Sequence, residues 1–160
     1  MHWLTRKDSL YLENIGSPFN LYNKTATLDG EVNITSKGVF GSGELETRGS
    51  RSTSNALSFK ENSYSARHAH FEVYSTSATS PAMLGDDVRL DFDLNKNTAT
   101  IRPEVSGAAA VSFPYAQMKT SITNAVWDLE DSVVTMTKPA NIPLEDSYFY
   151  TTRKELDSLA

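Results

Sequence analysis

Apolar and polar residues alternate with a period of two along most of this chain, the signature of strands with one buried face. The cleanest run sets Val88, Leu90, Phe92 and Leu94 against Arg89, Asp91 and Asp93. Asn95-Lys96-Asn97 then supplies a turn, and Ala99 and Ile101 open the return strand. Ala26 and Leu28, then Val32 and Ile34, form a similar pair on either side of Asp29-Gly30, which reads as a turn. Leu10 and Leu12 mark a short edge strand, whereas Asn14 to Asn23, with Gly16 and Pro18, reads as loop. Gly38, Gly41 and Gly43 punctuate the next strands, Val39-Phe40 and Leu45, and such glycines mark bulges, corners or close backbone approach. After polar Arg51 to Asn55 a strand begins at Ala56-Leu57-Ser58-Phe59. Pro114 puts the apolar run Ala108 to Ala116 at an edge or bend, and Val133 to Thr137 and Tyr148-Phe149-Tyr150 are short strands.

Two stretches look like copies of each other. Ser65-Ala66-Arg67-His68-Ala69-His70-Phe71-Glu72-Val73 and Ser121-Ile122-Thr123-Asn124-Ala125-Val126-Trp127-Asp128-Leu129 share the pattern S-x-x-(H/N)-A-x-(F/W)-(E/D)-(V/L). Alternation puts Ala69, Phe71 and Val73 on one face, with His68, His70, Glu72 and Tyr74 on the other. By the same count Ala125 and Trp127 point inward and Asp128 outward. Phe71 and Trp127 are therefore expected to be equivalent core residues. Weak internal repeats around 52–73 and 121–136 suggest one β-unit used more than once.

Composition agrees with an all-β chain. Ser and Thr supply 35 of the 160 residues and are scattered through the chain, while strong helix formers gather nowhere. The length suits a single domain over 1–160. Short strands with turn residues at their corners and a thin apolar stripe point to a β-solenoid or an open β-jellyroll, with a β-sandwich as the alternative.

A net charge of −5 gives no broad attraction to nucleic acid or anionic lipid. The absence of cysteine excludes disulfides, thiolate zinc sites and cysteine nucleophiles. No apolar run has the length of a membrane span. Met1 to Asp8 carries charges where the apolar core of a signal peptide belongs. The ending at Leu159-Ala160 looks like the entry to another repeat, so the chain is expected to be a segment of a longer exported protein.

Candidate chemistry is sparse. His68, His70 and Glu72 share a strand face, and such a set can bind a transition metal; an exposed polar face is the simpler account. His2 is the third histidine and is remote in sequence. Asp86, Asp87, Asp91 and Asp93 lack the spacing of a calcium loop and read as a turn plus a solvated face. Glu72 and Asp128 would form an acid pair if their strands were adjacent rungs. Tyr64, Tyr74, Tyr115 and Tyr148 read as exposed aromatics that would suit a carbohydrate platform, although ordinary cross-strand packing of surface tyrosines is the favoured reading. Gly41-Ser42-Gly43 lacks the Lys-Ser/Thr and helix of a phosphate loop, and no G-x-S-x-G is present. Asn23-Lys24-Thr25 and Asn33-Ile34-Thr35 match a glycosylation pattern that an Asn- and Thr-rich chain produces by chance. No catalytic, cofactor or metal residue is assigned.

The two copied stretches and the ending at Leu159-Ala160, with Ala125-Val126-Trp127-Asp128 followed by Val134-Thr135-Met136 as the recurring strand pair, resemble repeat segments of large β-helical proteins of the Gram-negative cell envelope. The stretch is similar, more loosely, to the OstA-type β-jellyroll of lipopolysaccharide-transport proteins. The resemblance implies a periplasmic or outer-membrane-associated scaffold, or a groove that carries lipid. Expectations for function follow in that order: a non-enzymatic structural or interaction module, lipid or lipopolysaccharide carriage along an apolar groove, and a carbohydrate-active β-helix. Expected partners are flanking repeats or a second copy through strand edges, with lipid or glycan as possible ligands.

Overall fold

The computed structural model describes residues 2–4, 8–76, 79–106, 108–121, 123–137 and 149–151, the first and last of these as backbone. Among the described residues, fourteen strands join one open antiparallel sheet and no α-helix occurs. In chain order they are β1 (His2–Leu4), β2 (Ser9–Glu13), β3 (Phe19–Leu21), β4 (Ala26–Thr35), β5 (Gly38–Thr47), β6 (Ser50–Phe59) and β7 (Ser63–Val73). There follow β8 (Met83–Asp93), β9 (Thr98–Pro103), β10 (Val111–Phe113), β11 (Met118–Thr120), β12 (Ala125–Asp128), β13 (Val133–Met136) and β14 (Phe149–Thr151). The all-β class is as expected. The strand reading at Tyr148 and the unfinished end at Leu159-Ala160 lie outside the described residues.

Five long strands, β4 to β8, form a meander that forks at both sides. The first part of β4 pairs with β3 and the second with β2. The first part of β8 pairs with β10 and the second with β9. Each long strand therefore belongs to two half-sheets, one running from β3 to β14 and the other from β1 to β13. Their inner rows meet. Ser52 Oγ lies 3.2 Å from Tyr64 Oη, the Tyr22 hydroxyl donates to the Ser63 carbonyl at 2.8 Å, and the Phe71 and Trp127 ring centroids are 6.0 Å apart.

A line of irregular backbone separates the halves. Gly30 sits opposite Gly43, and a Cβ on Gly30 would lie 2.1 Å from the Ser42 carbonyl oxygen. Only glycine allows that approach. Asp29-Gly30 is thus the middle of one ten-residue strand and not a turn, because the glycine serves strand contact. Farther along the line, β7 carries an extra residue between Ala66 and Ala69, and β8 carries one between Gly85 and Val88. His68 and Asp87, at these bulges, have left-handed backbone with φ of 47° and 51°. Bulges bend strands and increase their twist, and here they bend the sheet along one line.

The core is partly polar. Leu28, Leu45, Leu57, Phe71, Leu90 and Ile101 are fully buried, and Tyr64 stacks on its cross-strand neighbour Phe92 at 5.0 Å. Ser50, Ser52 and Ser54 are buried beside them on the inner face of β6. That strand starts at Ser50, earlier than its apolar pattern indicates. The serines bury at little cost because each hydroxyl has a partner: Thr47 Oγ1, Tyr64 Oη and the Arg67 carbonyl.

Candidate functional site

The bend brings charged residues together on its outer surface. Arg67 donates to Glu104 from Nε at 3.0 Å and Nη2 at 2.9 Å, and the Glu104 side chain is only 8% exposed. The Arg67 guanidinium, helped by the His68 N–H, holds the Glu104 carboxyl down at about 2 despite its desolvation. His68 Nδ1 lies 2.7 Å from Asp87, so a bond between two bulges ties β7 to β8. His70 sits between Asp86 at Nδ1 and Glu72 at Nε2, 3.4 Å away. Glu72 in turn accepts from Arg51 Nη2 at 2.6 Å, and Arg51 Nη1 lies 3.5 Å from Glu44. Partial burial would lower the His70 pKa, but the carboxylates of Asp86 and Glu72 outweigh it and raise the imidazole above its ordinary value. Glu72 is held below the usual carboxylate range, chiefly by Arg51.

This geometry separates the metal candidates. His68 and His70 turn to different aspartates, and Asp91 and Asp93 serve Arg102 and the Asn95 and Lys96 N–H groups. Among the described residues no group of three His, Asp or Glu side chains is placed to hold a metal ion.

Two conditional readings, the acid pair and the tyrosine platform, are not supported, and the exposure expected of Tyr64 is corrected. Glu72 on β7 and Asp128 on β12 are not on adjacent strands, since β12 pairs with β9 and β13; no acid pair forms. Tyr64 is buried and not a platform residue, because alternation along β7 turns it inward against Phe92. Tyr74 and Tyr115 are exposed as that reading requires, but Tyr74 is tied to Glu46 by a 2.8 Å bond. Tyr148 lies outside the described residues.

A second feature opens at one end of the folded sheet, where turns from both halves converge. It is a cleft of about 410 Å³. Lys24 and Thr25 come from the turn before β4, and Thr47 and Arg48 from the β5–β6 hairpin. Phe92, Leu94, Asn97 and Leu129 come from the opposite half. The turn holding Lys24 is unusual: Tyr22, Asn23 and Lys24 have successive φ values of 49°, 55° and 70°. Left-handed backbone costs a non-glycine residue about 1–2 kcal/mol. Here it is held by the Tyr22 hydroxyl bond across to β7 and by two bonds from Thr25 to the Tyr22 carbonyl. Burial pushes the Tyr22 phenol up to about 12. Sequence reasoning missed this cleft. Its only local sign was a set of turn residues at Lys24, Arg48 and Asn97, with nothing to say they meet.

Comparison with protein-family models, curated proteins and solved structures found no match. No helix among the described residues is long and apolar enough to cross a membrane.

Proposed function

We propose that this chain is a non-enzymatic structural and interaction module that joins a second copy of itself by strand addition at β13. The observation that carries this reading is the free edge of β13. Among the described residues β13 pairs only with β12. Its sequence, Val133-Val134-Thr135-Met136, has no charge and no proline, and Val133 is 51% exposed. Edge strands are commonly blunted by just those residues, as Pro18 does immediately before β3. A two-fold axis would set Val133 opposite Met136 and Val134 opposite Thr135 in an antiparallel ladder, a self-complementary arrangement.

Antiparallel strands joined by hairpins support the open-jellyroll form over stacked rungs of a coil. The inner rows are occupied by the chain's own side chains, which supports a scaffold over carriage of lipid along a continuous groove. The cell-envelope setting, periplasmic or at the outer membrane, rests on the sequence resemblance at Ala125–Met136. Sedimentation over a concentration series tests the edge. Dimers that disappear on Thr135→Lys are the expected result. A monomer at every concentration, or a dimer indifferent to Thr135→Lys, overturns it.

A further inference from the structure

We propose that the cleft between the two half-sheets binds a small amphiphilic anion, a single carboxylate or phosphate on an apolar body, through Lys24 and Arg48. Three independent observations converge on it. First, two cations line one mouth in a chain of net charge −5. Neither has an ion-pair or hydrogen-bond partner among the described residues, whereas Arg51, Arg67 and Arg102 are all paired. Like charges sharing a mouth repel, and an anion between them relieves that repulsion.

Second, the walls divide by chemistry. Thr25 and Thr47 stand beside the cations, whereas Phe92, Leu94 and Leu129 line the opposite half. An anionic head with a hydrocarbon or aromatic body matches both parts, while a bare anion leaves the apolar wall wet and a neutral lipid leaves the cations unanswered. The volume, about 410 Å³, falls within the roughly 300–1,000 Å³ usual for small-molecule sites. It limits the body to a short chain or a single ring system.

Third, the backbone that presents Lys24 is held in an unfavourable conformation. Three consecutive left-handed residues are anchored across the halves by Tyr22. Strain of this kind persists only where surrounding structure enforces it, and it gathers at ligand sites. The proposal is independent of edge pairing, since β13 contributes nothing to the cleft.

The test is calorimetric titration of the whole chain with octanoate, octyl phosphate, neutral octyl glucoside and inorganic phosphate. Octanoate and octyl phosphate are expected to bind, with the glucoside and inorganic phosphate at least about tenfold weaker. The better of the two amphiphiles tells whether a carboxylate or a phosphate head is preferred. Arg48→Ala should weaken octanoate about fivefold, the size of one partly exposed charge contact. Lys24→Asn should do the same while keeping a residue tolerant of left-handed backbone. Leu129→Asn should weaken the amphiphiles but not inorganic phosphate, and Lys37→Ala, in the β4–β5 hairpin, should change nothing. Absence of octanoate binding overturns the proposal. So does glucoside or inorganic phosphate binding as tightly as octanoate, or an affinity indifferent to both charge changes.

Discussion

Stretches 65–73 and 121–129 follow one pattern, yet only their inward residues are equivalent. Ala69 and Ala125 are both fully buried, and Phe71 and Trp127 are 0% and 5% exposed. The two rings lie in opposite half-sheets and touch each other. Their outward residues differ in every partner. Glu72 completes an ionic chain with Arg51 and His70, whereas Asp128 caps a hairpin by accepting the Glu130 and Asp131 N–H groups at 3.0 and 3.2 Å. His68 stands at a bulge with Asp87, while Asn124 donates to Thr137 at 2.7 Å. A shared strand pattern specifies which side chains pack inward. What the outward side chains do is decided by the neighbouring strands.

The largest effect should come from breaking the shared part. Phe71→Ala and Trp127→Ala should each cost about 3–5 kcal/mol in denaturant unfolding, the range for buried aromatic truncation. Because the rings touch, the double variant should cost less than the sum, with the first truncation having already removed part of the contact. Strict additivity would mean the two rings pack independently, and the facing arrangement of the half-sheets would then be wrong.

The inner row also contains polar contacts, and these give the next largest effect. Tyr64→Phe deletes the hydroxyl that partners buried Ser52. Leaving a buried hydroxyl unsatisfied costs about 1–3 kcal/mol. Ser52→Ala in the Tyr64→Phe background should cost little more, since it removes the stranded group. A Tyr64→Phe change without effect on unfolding would mean that Ser52 finds another partner.

Alternation made much of this fold legible, because a strand places every second side chain on one face whatever its neighbours are. The inward rows at Val88–Phe92, Ala69–Val73 and Ala125–Trp127 follow that rule. The rule fails where chemistry is not binary. Ser50, Ser52 and Ser54 alternate inward as regularly as leucines, but a hydroxyl counts as buried-compatible only once its partner is known. Asp29-Gly30 has the sequence of a turn, and only the presence of Gly43 across the ladder makes it a strand centre. The cleft was illegible for a related reason: its lining comes from four separate turns that meet only when the sheet folds over.

The outward difference sharpens at lower energy. Glu72→Gln removes an ion-pair partner, and Asp128→Asn weakens a hairpin cap; each should cost about 0.5–1 kcal/mol. The two separate on adding salt. Mobile ions screen the Arg51–Glu72 attraction, so the Glu72→Gln penalty should shrink in high salt. The Asp128 bonds go to backbone N–H groups at short range, and the Asp128→Asn penalty should stay nearly constant. Equal salt responses would show that the two acids play one role after all.

The smallest expected effect is a pH dependence that belongs to the first stretch alone. His70 is replaced by Val126 in the second, so only the first carries a titrating imidazole at this position. Burial opposes its charge, and Asp86 and Glu72 overcome that opposition, leaving its folded pKa above the unfolded value. A group raised on folding stabilises fully below its unfolded pKa, near 6.5, and loses that contribution as pH rises through the folded pKa. Glu72 and Glu104 behave in the opposite sense. Their folded pKa values are depressed, so their contribution is present above about 4.5 and fades as pH falls, down to about 2 for Glu104. The ionic chain on the outer bend is therefore most stabilising between those limits. The melting temperature should decline modestly as pH rises above the unfolded imidazole value, near 6.5. His70→Gln should flatten that decline, leaving the acid limb set by Glu72 and Glu104 in place. Asp128→Asn should leave the decline untouched. A His70→Gln protein that keeps the wild-type slope would show that this imidazole does not set the decline, and would remove this difference between the two stretches.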